Sequence, residues 1–160
     1  MSQALREQLK ARLQPLLESR GFIADHPQSA LFWTYRRLSG DQSHILEVQW
    51  DKYQRPRFII NYGTCPASGL QLPDGLHPAA SVAAHWTQDA GRLQDGTSAG
   101  EHWFRQDRPW WRRLLGKPAQ VDAQEPVQRL MACLGEVEIY WQSGLLGPHM
   151  WPLAKHRQRS

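Results

Sequence analysis

Leu5, Leu9, Leu13, Leu16 and Leu17 recur three or four residues apart, which places them on one stripe of a helix. The spacing predicts a first helix over roughly 3–20, with Gly21 able to end it as a left-handed cap. Pro15 lies inside that span. Its missing amide and its clash with the preceding turn cost about 3 kcal/mol, so a kink or break is expected near Leu13. The polar side mixes Glu7 and Glu18 with Arg6, Lys10 and Arg12, which fits a helix packed on a core rather than a membrane foot.

The period then changes to two. The runs "LFWTYRRL", "HILEVQWDKY" and "RFIINYG" are rich in aromatic and β-branched residues and are separated by "SGDQS" and "QRP". They predict an antiparallel meander. Alternation puts Trp33, Tyr35, Leu46, Val48, Trp50, Phe58, Ile60 and Tyr62 on one face, assigned to the side under the first helix. Phe32, Thr34, Arg36, Ile45, Glu47, Gln49, Ile59 and Asn61 fall on the other.

From 65 to 100 turn signals are dense, in "CPASG", "LPDG", "QDAG" and "QDGTSAG". So long a connection without structure is unusual, and a further strand is expected near "GRLQ" or "EHWFRQ", with a short helix within "PAASVAAHW". A second stripe of helical period, Val127, Leu130, Met131, Leu134, Val137, Tyr140 and Trp141, predicts one helix over 126–141, opened by Pro126. The fold class is therefore α+β: an N-terminal helix on an antiparallel meander of three to five strands, with a C-terminal helix. One domain is expected over 1–153, followed by a basic, frayed tail over 154–160.

Composition narrows the function classes. Apolar residues form 41% and charged residues 21% of the 160 positions, the balance of a globular chain. Cys65 and Cys133 stand far apart, giving neither a disulfide framework nor a metal pair, which suits the reducing cytoplasm. There is no signal-type leader and no run of about 18 apolar residues, so no membrane partner is expected. The seven histidines show neither an i, i+4 pair nor an H-E-x-x-H, and no metal site is predicted. Nucleophile elbows and glycine-rich phosphate loops are missing as well, so no cofactor is predicted.

Two groups of polar residues remain. Arg36, Glu47, Gln49 and Asn61 share one sheet face on three neighbouring strands, close enough to hydrogen-bond. They form either a satisfied polar cluster under a covering segment or a small pocket. Beside Arg36, Glu47 is expected to have a lowered pKa, which makes it a poor general base. The other group is "RQDRPWWRRLLGKP", where Arg105, Arg108, Arg112, Arg113 and Lys117 surround Trp110 and Trp111. Pro109 can open a helical turn that sets Trp110 and Leu114 on one side as anchors to the core, leaving the arginines solvated. An exposed Trp pair would instead mark a partner-binding surface, made of Arg105, Arg108, Trp110, Trp111, Arg112 and Arg113. Single-stranded nucleic acid is the alternative occupant.

The landmarks "RGF", "FWTYRR", "LEVQWDKY", "FIINYG", "GRLQDGTSAGEHWF" and "GLLGP", in this order, resemble a family of small bacterial proteins of unknown function, of DUF4304-like type. The matching points are Gly21, Phe22, Arg36, Gln49, Asn61, Gly63, Arg92 and Trp103. The resemblance implies an α+β architecture and no established reaction; some small bacterial proteins of similar build serve as immunity or accessory proteins of toxin systems. The expected function is a cytoplasmic, non-enzymatic protein-binding module, immunity-like or accessory to such a system, present as a monomer or weak dimer. A nucleic-acid-associated protein is the alternative, and a hydrolase using the polar row is the third reading.

Overall fold

Helix α1 (Gln3–Ser19) runs unbroken through Pro15, so the expected break near Leu13 does not occur. Pro15 and Ala11, whose carbonyl loses its partner, both lie on the exposed side, where water satisfies that carbonyl. On the other side Leu5, Leu9, Leu13 and Leu17 are fully buried. The helix ends in a Schellman motif. Gly21, at φ 83°, donates to Glu18 O at 3.0 Å, and Phe22 donates to Leu17 O at 3.0 Å. The computed structural model describes residues 3–153, leaving aside the side chain of Arg113; the basic tail over 154–160 lies outside the described residues.

The chain next forms β1 (Ile23–Ala24), β2 (Phe32–Ser39), β3 (Gln42–Trp50) and β4 (Arg57–Pro66), then a separate hairpin of β5 (Leu70–Leu72) and β6 (Gly75–His77). Further on come β7 (Gly91–Leu93), β8 (Phe104–Arg105), the short helix α2 (Trp110–Leu114), helices α3 (Gln124–Cys133) and α4 (Gly135–Ser143), and β9 (Met150–Pro152). The main sheet is antiparallel in the order β1-β2-β3-β4-β7-β9, with β8 paired to the start of β4. Its centre is the meander that alternation predicts. Around it sit short strands that carry the sheet past the expected three to five; β7 and β8 fall on the two segments named as strand candidates.

The face assignment holds. Tyr35, Leu46, Val48, Trp50, Phe58, Ile60 and Tyr62 are buried in one cluster with the α1 leucines, Val127 and Leu130 of α3, and Val137 of α4, while Trp33 packs at its edge. Arg6 of α1 lies over the Trp50 ring at 4.2 Å. The stripe predicted as one helix over 126–141 is two, meeting at Leu134. There the Leu134 N–H still bonds Leu130 O at 2.9 Å, but Val137 N–H reaches back three residues to Leu134 O. α4 is tied to the sheet by Arg37, which grips both carboxylate oxygens of Glu138 at 3.1 and 2.8 Å and donates to His44 Nδ1 at 2.9 Å. The His44 ring stacks on Trp141 at 4.3 Å.

The other sheet face is partly covered by residues 78–87, where Ile45, Cys65, Val82 and Ala84 make a second, smaller core. The short helix expected there is replaced by two 3-10 turns, Ala79–Ser81 and Ala84–Trp86, with Val82 extended between them. Side chains of the sheet compete for the backbone groups a helix would use. Arg36 Nη1 takes the carbonyls of Ala79 and Val82 at 3.1 and 2.6 Å, and Glu47 Oε1 takes the Ala84 N–H at 3.1 Å. Close approach depends on Gly63, where a Cβ would stand 2.8 Å from Ala84 O.

Candidate functional site

The pairing registers set Thr34, Glu47, Asn61 and Arg92 opposite one another across four strands, with Arg36 one step toward one end and Gln49 one step toward the other. The four sequence candidates Arg36, Glu47, Gln49 and Asn61 thus do share a face, yet they divide into three separate contacts. Asn61 Nδ2 donates to Gln49 Oε1 at 3.0 Å. Arg36 turns to Asp25, with Nε 3.0 Å from both carboxylate oxygens, and to the covering segment. Glu47 is 4% exposed, and its Oε2 has no hydrogen-bond partner. Burial pushes Glu47 above the ordinary carboxylate value, against a smaller pull from the Ala84 N–H, His85 and Arg36. This corrects the lowered pKa expected from an Arg36 neighbour: desolvation outweighs a guanidinium already committed to Asp25.

The basic tryptophan loop is also unlike its expected form. Its neck is closed by Arg108 N–H to Ala119 O at 3.0 Å, Val121 N–H to Gln106 O at 2.9 Å, and Gln106 Nε2 to Val121 O at 3.0 Å. Beyond that neck α2 begins after Pro109, as the sequence suggests, but its apolar side is left largely uncovered. Trp110 is 73%, Trp111 47%, Leu114 77% and Leu115 66% exposed, which overturns the anchoring role expected of Trp110 and Leu114. At 100° per residue Trp110, Trp111 and Leu114 span about 100° of the helix circumference, with position 112 turned away and Leu115 just past the helix end. Of the cations, Arg105 is held near Asp107 at 3.7 Å, and Arg112 lies 5.3 Å from the Trp111 ring. Arg108, Arg112 and Lys117 make no ion pair among the described residues, and no acidic residue occurs between 108 and 121. The Arg113 side chain lies outside what the structure describes. The loop is a closed finger with an apolar tip and a basic collar.

A third feature escaped the reading of the sequence. Asp51, 2% exposed, directly follows β3 and accepts from Tyr53 N–H at 2.7 Å, Arg55 Nε at 3.0 Å and Arg57 Nε at 2.7 Å. Burial alone would raise its pKa, but these donors outweigh burial and hold the carboxyl below its usual value. Arg57 in turn lies over the Trp103 ring of the segment before β8, at 4.6 Å. The sequence signal was present as D-x-x-x-R-x-R, a carboxylate followed by two arginines around a turn, hidden because "QRP" reads only as a strand boundary.

Among the described residues no cluster of three His, Cys, Asp or Glu side chains could hold a metal ion, and no helix is long and apolar enough to cross a membrane. No family model, curated protein or solved structure matches this chain.

Proposed function

We propose that the protein is a non-enzymatic binding module that docks on another protein through the 105–118 finger. The observation that carries this reading is the exposure of four large apolar side chains on a loop whose neck is hydrogen-bonded shut. Exposed apolar surface ringed by polar groups marks contact sites, and Trp and Arg are over-represented where interface energy concentrates. Charge supports an acidic-rimmed partner groove, since Arg108, Arg112 and Lys117 have no carboxylate of their own. A binding rather than catalytic role is further supported by Glu47, the one carboxylate of the polar row, which lies covered beneath 78–87. The narrower form, an inhibitor or accessory of a toxin system in the cytoplasm, rests on the family resemblance.

The test is affinity purification of the tagged chain with and without nuclease, beside a folded Trp110→Ala, Trp111→Ala variant. A protein that survives nuclease, is absent with the variant, and rebinds the purified chain but not the purified variant is the expected result. Recovery in its place of nucleic acid that the variant no longer retains would transfer the finger to single strands and end the protein-docking reading.

A further inference from the structure

Away from the finger, the end of β3 and the approach to β8 enclose a pocket of about 370 Å³, within the roughly 300–1,000 Å³ of small-molecule sites. Phe32, Tyr53 and Trp103 are among the rings that line it, Gln49 adds an amide, and Lys52 and Arg55 add positive charge. The loop that carries Lys52, Tyr53 and Arg55 is set before any ligand arrives. Asp51 holds the Tyr53 N–H and both following arginines, and Gln54 N–H closes the turn on Asp51 O at 3.0 Å with Gln54 in the left-handed region at φ 60°. Such preorganisation removes an ordering cost from binding.

The chemistry of the lining is specific. Two cations, Lys52 and Arg55, line it against the single carboxylate Asp51, which the buried Arg57 also pairs, so Lys52 is left without a carboxylate of its own among the described residues. Lys52 Nζ and Arg55 Cζ lie 4.9 and 5.1 Å from the centre of the Tyr53 ring, so charge and aromatic face occur together. Gln49 Oε1 is occupied by Asn61, which leaves the Gln49 NH₂ as a donor with no partner among the described residues. A small inorganic anion would make no use of the rings, and an uncharged aromatic would leave the cations unneutralised. A ligand that joins a planar, acceptor-bearing ring to an anionic group satisfies both.

We propose that this pocket binds a nucleotide. The base stacks on the aromatic faces, a carbonyl or ring nitrogen of the base accepts from Gln49 Nε2, and the phosphate lies at Lys52 and Arg55. That chemistry is offered both by a free nucleoside monophosphate and by the terminal nucleotide of a single strand. The site is independent of the docking finger.

The four nucleoside 5′-monophosphates and a short 5′-phosphorylated oligothymidylate are titrated into the full chain, followed by tryptophan fluorescence and calorimetry. Saturable binding tighter than about 1 mM is expected. It weakens about tenfold with Tyr53→Ala, an exposed side chain whose removal spares the fold, and again with Lys52→Ala or added salt. Binding of mononucleotides assigns the free ligand; Tyr53-dependent binding of the oligothymidylate alone assigns the strand end. Failure of both probes to saturate by about 1 mM overturns the proposal. So does equal affinity in the Tyr53→Ala variant, or oligothymidylate binding that Tyr53→Ala spares and Trp110→Ala abolishes.

Discussion

Asp51→Asn isolates the buried ion network at the end of β3. The substitution keeps the shape and one acceptor oxygen but removes the charge that compensates Arg57, which is 8% exposed. The two arginines on Asp51 are not equivalent. The Arg55 side chain is 46% exposed, and solvent screening reduces its pair to about 0–1 kcal/mol. The Arg57 pair, 9% and 2% exposed at 2.7 Å, decides the magnitude, because the variant strands a buried guanidinium at a cost of about 3–5 kcal/mol. For a chain of 160 residues that is a melting temperature lower by roughly 6–20 °C. Urea denaturation of the variant, followed by far-ultraviolet circular dichroism, measures it, and adding Arg57→Met should restore much of the loss by removing the stranded charge. The pH dependence carries the opposite sign to that of a raised group. Asp51 is depressed below its ordinary 3.8, so its contribution is present above that pH and lost as pH falls through the folded value. The Asp51→Asn profile should lose the part of the acid decline that Asp51 contributes in that window. A single variant within about 1 kcal/mol of wild type, or a double variant no better than the single, would refute the reasoning.

Glu47 should show the reverse dependence. Its folded pKa is raised above 4.5, so the native state keeps a proton that the unfolded chain releases, and stability falls as pH rises from 4.5 through the folded value; Glu47→Gln should remove that fall in urea midpoints measured across the range. His44 is lowered from 6.5, first by burial and then by Arg37, so the unfolded chain takes up its proton first and stability declines as pH drops below 6.5 toward the folded value. His44→Phe, which keeps a ring on Trp141, should flatten that decline in the same assay. Trp110→Ala and Trp111→Ala should each change stability by no more than about 0.5 kcal/mol by calorimetry while weakening partner binding by about 2 kcal/mol, roughly thirtyfold.

The centre of the fold was legible because two periods agree. The α1 leucines repeat at helical spacing and the three long runs alternate, so one face of the meander and one stripe of the helix had a single way to cover each other. β7 and β8 announced themselves by chain length alone. The strands β1 and β9 did not, since two or three residues cannot express a period. The turns over 78–87 were misread because their geometry is dictated from far along the chain, by Arg36, Glu47 and Gly63 on the sheet. The polar row illustrates the same limit. Alternation placed all four residues on one face, but only the tertiary fold shows that Arg36 is spent on Asp25 and two carbonyls, leaving burial to set the state of Glu47.

The finger was misjudged for a different reason. A tryptophan buries 150–250 Å² when covered, so leaving Trp110 73% exposed forgoes on the order of 4 kcal/mol at about 25 cal/mol per Å². Leu114 and Leu115 add to that. The sum is comparable with the net stability of an ordinary domain, about 5–15 kcal/mol, so local preference argues for folding the loop back. Among the described residues, however, the surface beside the finger is lined mainly by charged side chains. The nearest helix, α3, spends Val127 and Leu130 on the core, and the face it turns to the finger carries Glu125 and Arg129. The neck hydrogen bonds then fix the loop in place, and the collar of Arg108, Arg112 and Lys117 keeps the tip hydrated. The fold has no use for this apolar surface, and the free energy left unrealised there is available to whatever covers it.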